Sequence, residues 1–139
     1  MAQALRQEFQ DARLLVVEDE QINQMVVREN LEFAGLQVDV ATDGVEALAL
    51  LGREDRPAYA LVLMDLHMPR MDGLQTTRQI RRLHAGLDIP IIAMTASASD
   101  EDMEACITAG MNEAVDKPIN PEQLYGVLQK WLRLRRTTE

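Results

Sequence analysis

The sequence predicts an α/β protein: a doubly wound, five-stranded parallel sheet in strand order 2-1-3-4-5. Three observations lead there. Short apolar runs alternate with helix-period segments along the whole chain, which implies a parallel sheet with helices on both faces. The first, third and fourth runs are apolar almost throughout, as strands covered on both faces are, whereas the second alternates and the fifth is short, which places those two at the edges. In that order the direction of winding reverses between strands 1 and 3, so a ligand is expected at the C-terminal ends of those strands.

Each element has its own signals. Leu14 to Val17 is the first strand, followed by a helix from about Gln21 to Ala34 that stops at Gly35. Leu36 to Ala41 is the alternating strand, with Leu36, Val38 and Val40 apolar and Gln37 and Asp39 polar. Asp43 is the expected N-cap of the next helix, with Glu46 three residues on. Tyr59 to Met64 is the third strand. The helix after it starts near Asp72, with Gln75 three residues later, and ends before Gly86. Ile89 to Met94, apolar apart from Pro90, is the fourth strand. A helix from about Asp100 carries Met103, Cys106 and Ile107 on one face and stops at Gly110; Glu113 to Asp116 is the short fifth strand. The last helix opens with Asn120 as cap, Pro121 at the first position and Gln123 at the third. Its residues Leu124, Val127, Leu128, Trp131 and Leu132 recur at the spacing of one buried helix face.

The chain of 139 residues is long enough for one full core, and 47% hydrophobic with 27% charged residues is an ordinary globular composition. Residues 1–12 read as a lead-in or linker, 13–133 as the domain, and 134–139, with Arg135, Arg136, Thr137 and Thr138, as a basic tail. Fourteen Lys and Arg against 23 Asp and Glu give a net charge of −9, a field that repels phosphate backbones and anionic lipids. Nucleic acid and direct membrane contact are therefore not expected. Cys106 is the only cysteine, so no intramolecular disulfide forms, in keeping with a cytoplasmic location. No apolar run approaches the roughly 18 residues that a membrane span needs, and the N-terminus lacks the apolar core of a signal peptide.

The chemistry lies at the strand ends. Strand 1 runs into Glu18 and Asp19, strand 3 into Asp65, strand 4 ends at Thr95 and strand 5 leads to Lys117 and Pro118. A single acid after a strand is usually a helix cap. Three acids converging on one crevice repel one another unless a cation or proton offsets them. A few hard oxygen ligands suit Mg²⁺, which keeps several waters and completes its shell with phosphate. Three acids, a hydroxyl and a lysine are the equipment for phosphoryl transfer to a carboxylate. Asp65 is the nucleophile, and Lys117 and Thr95 bind the equatorial oxygens.

These residues resemble a known family. The runs Leu14 to Asp19, Leu63 to Gly73 and Ile91 to Ala96, together with Lys117 and Pro118, are similar to the response-regulator receiver domain, from about Arg13 to Leu132. The resemblance implies the flavodoxin-like (βα)5 fold and a phosphoacceptor of a two-component or phosphorelay system. Asp65 would take the phosphoryl group from a phosphohistidine. Asp19 and Asp65 would ligate Mg²⁺ directly, Glu18 mainly through water, and the backbone carbonyl of His67 would be a further ligand. Thr95 would be the switch hydroxyl, Lys117 the phosphate-binding lysine, and the Lys117–Pro118 bond cis. Partners would be a histidine kinase or a histidine phosphotransfer domain, and the chain a monomer or weak dimer. Such a domain is not a turnover enzyme: it catalyses its own phosphorylation and slow dephosphorylation.

The segment Glu18 to Gln24 is similar to receivers fused to hybrid sensor kinases, so the chain is expected to be such a receiver, on the cytoplasmic side of a membrane-bound kinase. One departure is Ala114, where the family often has an aromatic residue that turns inward on phosphorylation. His67 borders the site and influences access of water, as does Ser97, and His84 is a surface residue. Two other readings compete. A receiver-like interaction module without phosphorylation would not need the intact acids, Thr95 and Lys117. An Asp-nucleophile phosphatase would need a second Asp where His67 stands.

Overall fold

The elements run α1 (Ala2–Glu8), β1 (Arg13–Val17), α2 (Gln21–Phe33), β2 (Gln37–Ala41), α3 (Gly44–Leu51), β3 (Tyr59–Asp65), α4 (Gly73–Leu83), β4 (Ile91–Thr95), α5 (Asp100–Ala109), β5 (Glu113–Asp116) and α6 (Pro121–Thr138). The computed structural model describes residues 2–53, 55, 59–68, 71–83, 88–96 and 99–138, and only the backbone of 135–138. His84 and Ser97, the motif residues Pro69 and Arg70, and the side chains of Arg135, Arg136, Thr137 and Thr138 lie outside the described residues.

All strand pairs are parallel, in the order β2-β1-β3-β4-β5. Successive strand residues point to opposite faces, and the two faces bury two cores. Leu14, Val16, Leu61, Leu63, Ile92 and Met94 face one core with residues of α1, α2 and α6. Leu15, Val17, Val62, Met64, Ile91 and Ala93 face the other with residues of α3, α4 and α5. The alternating β2 is an edge and only its last residue is buried. β4 begins at Ile91 rather than Ile89: Pro90 has no N–H for the ladder, although its carbonyl still accepts from Val62 N at 2.9 Å.

The caps follow the sequence signals. Asp72 and Gln75 form a reciprocal box, Gln75 N donating to Asp72 Oδ1 at 2.8 Å and Asp72 N to Gln75 Oε1 at 3.2 Å. Asp43 accepts from Glu46 N at 2.8 Å, but Glu46 reaches past it to the amide and hydroxyl of Thr42. Asn120 accepts from Glu122 N and Gln123 N. α5 is capped by Ser99, and of its apolar residues Cys106 is buried whereas Ile107 is 55% exposed. α5 meets the core on the side of Cys106 and Ala109, and Ile107, about 100° round the helix from Cys106, is turned away from it.

Ala2, Leu5, Phe9 and Ala12 of the lead-in pack against the core. Leu5 is fully buried in the core shared with α2 and α6. Glu8 receives two hydrogen bonds from Arg133, and Arg6 stacks 5.9 Å from the Phe33 ring while donating to the Phe33 carbonyl.

Candidate functional site

The site is built at the C-terminal ends of the strands: Asp65 and Thr95 are the last residues of β3 and β4, and Glu18 and Lys117 follow β1 and β5 directly. Beyond β1, Glu18 N still donates to Ala41 O at 3.0 Å, so Glu18 is held in line with the sheet. Beyond β4 and β5, Lys117 N donates to Thr95 O at 2.8 Å. The Lys117–Pro118 bond is cis. Asp65 closes β3, and α4 begins at Gly73. A Cβ on Gly73 would stand 2.3 Å from Asp65 O, so only glycine lets the helix start this close to the end of β3.

Glu18, Asp19 and Asp65 each bring a carboxylate oxygen within 4.8 Å of the others. Glu18 is fully buried and Asp65 is 3% exposed, while Asp19 is open to solvent. Lys117 Nζ bridges the buried pair, 2.9 Å from Glu18 Oε1 and 3.0 Å from Asp65 Oδ1. Backbone donors complete the shell: Glu20 N to Glu18 Oε2 at 3.1 Å and His67 N to Asp65 Oδ1 at 3.3 Å. Gln24 Nε2 ties the first turn of α2 to the Glu18 carbonyl at 2.6 Å.

One ammonium does not balance three acids. Burial pushes the Glu18 carboxyl up to about 7, against the pull of Lys117 and Glu20 N–H and with further push from Asp65. Burial alone would depress Lys117, but its hydrogen bonds to Glu18 and Asp65 outweigh it and hold the ammonium above its ordinary value. A cluster that favours a proton on a carboxyl near neutrality equally favours a divalent cation, and its donors are all hard oxygens.

A cavity of about 230 Å³ opens over this cluster, lined by Glu18, Asp19, Glu20, Asn23, Asp65, His67, Ala96 and Lys117. Beside it a narrower groove of about 100 Å³ runs between α2 and the β5–α6 turn, with Val26, Val27, Pro118 and Ile119 in its walls. A wider groove, about 480 Å³, lies on the open edge of β2 between Arg28 and Arg53, and its acids are only Asp39 and Glu46. Thr95 is 1% exposed at the end of β4, one residue past the Asp65–Met94 register pair. Ala96 lines the cavity and Thr95 does not. Ala114 packs against the α3–α5 core. The side chains of Asn23 and Glu20 at the cavity wall were not singled out by spacing. Both follow from the phase of α2, which begins at Gln21 with Glu20 as its cap.

A parallel sheet that gathers acids at its point of reversal, with a lysine from the far edge, is the architecture of signalling receivers. Comparison with known sequences agrees: the response regulator receiver domain pattern matches residues 14–129, and the chain belongs to this family. It is a receiver domain of the two-component and phosphorelay type, homologous to those within hybrid histidine kinases. It is 37% identical over 128 residues to the sensor histidine kinase RcsC of Salmonella typhi, covering 91% of this chain and 13% of that protein. It is 41% identical over 119 residues to two-component system protein A of Emericella nidulans, covering 85% of this chain and 17% of that one. The chain thus spans less than a fifth of these relatives. Among solved structures, the receiver domain of a Pseudomonas aeruginosa PAO1 sensor histidine kinase, described with a magnesium ion in its active-site cleft, superimposes with a TM-score of 0.76 at 36% identity. That match covers 88% of this chain and 98% of that one. The Vibrio cholerae chemotaxis protein CheY4 gives 0.77 at 32%, covering 86% and 98%. Among the described residues, no helix is long and apolar enough to cross a membrane.

Proposed function

We propose that Asp65 accepts a phosphoryl group from the phosphohistidine of a histidine kinase or phosphotransfer domain, and that Mg²⁺ is the cofactor. The observation that carries this is the pairing of Glu18 and Asp65 through Lys117 Nζ beside the exposed Asp19. Glu18, Asp19, Asp65 and the His67 carbonyl would hold the ion, and its charge would offset that of the phosphate. Asp65 lines the cavity and is almost fully buried, which suits a nucleophile. Lys117 is free to exchange a carboxylate for a phosphoryl oxygen at little cost in charge, and the Thr95 hydroxyl lies at the next strand end.

The partner would dock along α2, where Ile22, Met25 and Val26 are 67%, 56% and 42% exposed next to the apolar groove. A helix carrying the donor histidine fits such a face. The chain would act in the cytoplasm as the receiver of a larger kinase, with residues 13–133 as its working unit. Self-dephosphorylation would be slow because His67 is neither an acid nor an amide suited to aligning water.

The test is incubation with Mg²⁺ and acetyl phosphate followed by intact-mass measurement. One acid-stable, base-labile phosphoryl group is expected in the wild type and none in Asp65→Asn. A label that persists in Asp65→Asn on another residue overturns the assignment.

A further inference from the structure

Asn23 is left without a task at this site. Glu18, Asn23 and Lys117 are the three residues that line both the acid cavity and the apolar groove. Glu18 and Lys117 are bonded to one another, whereas the Asn23 carboxamide has no hydrogen bond or ion pair with any described residue. Its position explains why. Asn23 is the third residue of α2, from which a side chain can reach back to the N–H of the cap residue. That N–H, on Glu20, is already taken by Glu18 Oε2. The flanking residues are committed elsewhere: Gln24 to the Glu18 carbonyl, Val27 to the core, Ile22 and Val26 to the apolar face.

The chemistry of the cavity favours an amide here. Its lining contains the carboxylates of Glu18, Asp19, Glu20 and Asp65 and one ammonium, Lys117. An incoming phosphoryl group brings more negative charge, and a fifth carboxylate would repel it. An arginine at this point would be drawn onto the acids and compete with a cation. A carboxamide donates N–H to a phosphoryl oxygen without altering the charge of the cluster.

Resting on the reading of Asp65 as acceptor, we infer that Asn23 is a positioning residue: its carboxamide binds a phosphoryl oxygen of the approaching donor where the apolar groove meets the acid cavity, and holds the phosphorus over Asp65. In transfer from phosphoramidate, a small P–N donor, the Asp65 Oδ–P bond forms as the P–N bond breaks. The nitrogen, already protonated, departs as ammonia with the bonding pair.

The experiment measures the rate of phosphorylation by phosphoramidate with Mg²⁺, and the affinity for beryllofluoride, in the wild type, Asn23→Ala, Asn23→Asp and Asn23→Gln, with unfolding midpoints for each. Loss of one hydrogen bond to a charged group predicts a fall of about tenfold or more in kcat/KM for Asn23→Ala. Asn23→Asp keeps the shape and should fall further, on the order of a hundredfold, because it adds repulsion. Its added carboxylate should at the same time tighten Mg²⁺ binding. Asn23→Gln, which keeps the donor, should recover part of the Asn23→Ala loss. Beryllofluoride affinity should follow the same order. Rates within twofold of wild type for both Asn23→Ala and Asn23→Asp overturn the inference alone. So do equal losses in all three variants that track a lowered unfolding midpoint. A wild type that takes no phosphoryl group from either phosphoramidate or acetyl phosphate overturns the reading of Asp65 and this inference with it.

Discussion

Glu18→Gln should make the metal-free protein more stable, and only above acidic pH. Glu18 is fully buried and its carboxyl is pushed up to about 7, from an ordinary 4.5. An acid whose folded pKa is raised holds its proton more tightly in the folded state. Below pH 4.5 both states are protonated and nothing is lost. As pH rises from 4.5 through 7 the unfolded chain ionises first, and above 7 the folded protein carries the full penalty. At about 1.4 kcal/mol per pKa unit the ceiling is roughly 3 kcal/mol, reduced in the variant by the lost contact with Lys117. Asp65 remains as a partner for that ammonium. A gain of about 2 kcal/mol at pH 8 corresponds to a rise of roughly 6–8 °C in Tm for a domain of this size. The assay is urea unfolding of both proteins in chelator at pH 4.5, 6 and 8. The gap should be near zero at the lowest pH and widest at the highest. Adding Mg²⁺ should stabilise the wild type by mass action and narrow the gap. A variant less stable than wild type at pH 8 in chelator, or a gap that does not change with pH, refutes the reasoning.

Two further outcomes are expected. With Ala114 supplying only a methyl group, amide chemical shifts on adding beryllofluoride should change chiefly in the loops around Glu18, Asp65 and Ala96; large changes through α5, β5 and α6 would show a global switch. Leu5→Ala should destabilise the protein by about 2–5 kcal/mol in urea unfolding, because it empties a fully buried position between α2 and α6; a cost under 1 kcal/mol would show that α1 does not rest on the core in solution.

The sheet order was readable because burial leaves a direct imprint on strand texture: a strand covered on both faces cannot afford the polar residues that β2 carries. The gathering of the acids with Lys117 was legible for a related reason, since a parallel sheet delivers the ends of its strands to one edge. What could not be read from spacing depends on distances across the fold. That Lys117 bridges Glu18 and Asp65, rather than standing apart from them, is set by how the β5–α6 turn meets β1 from 99 residues away. The exposure of Ile107 turns on which side of α5 meets the sheet, and apolar neighbours in sequence do not report this. Asn23 was hidden among the polar residues of an amphipathic helix, because which of them meets the cavity depends on how α2 sits against the strand ends.

The contact of Gly73 with the Asp65 carbonyl has a consequence for how this sequence can drift. Position 73 carries no functional group, yet any side chain there must displace either the first turn of α4 or the backbone of Asp65 and Leu66. A residue with no chemistry is thereby as restricted as the proposed nucleophile, and a substitution scan scored by activity would report it as though it were part of the reaction. Stability alone would separate the two: replacing Asp65 leaves the backbone where it is, whereas replacing Gly73 cannot.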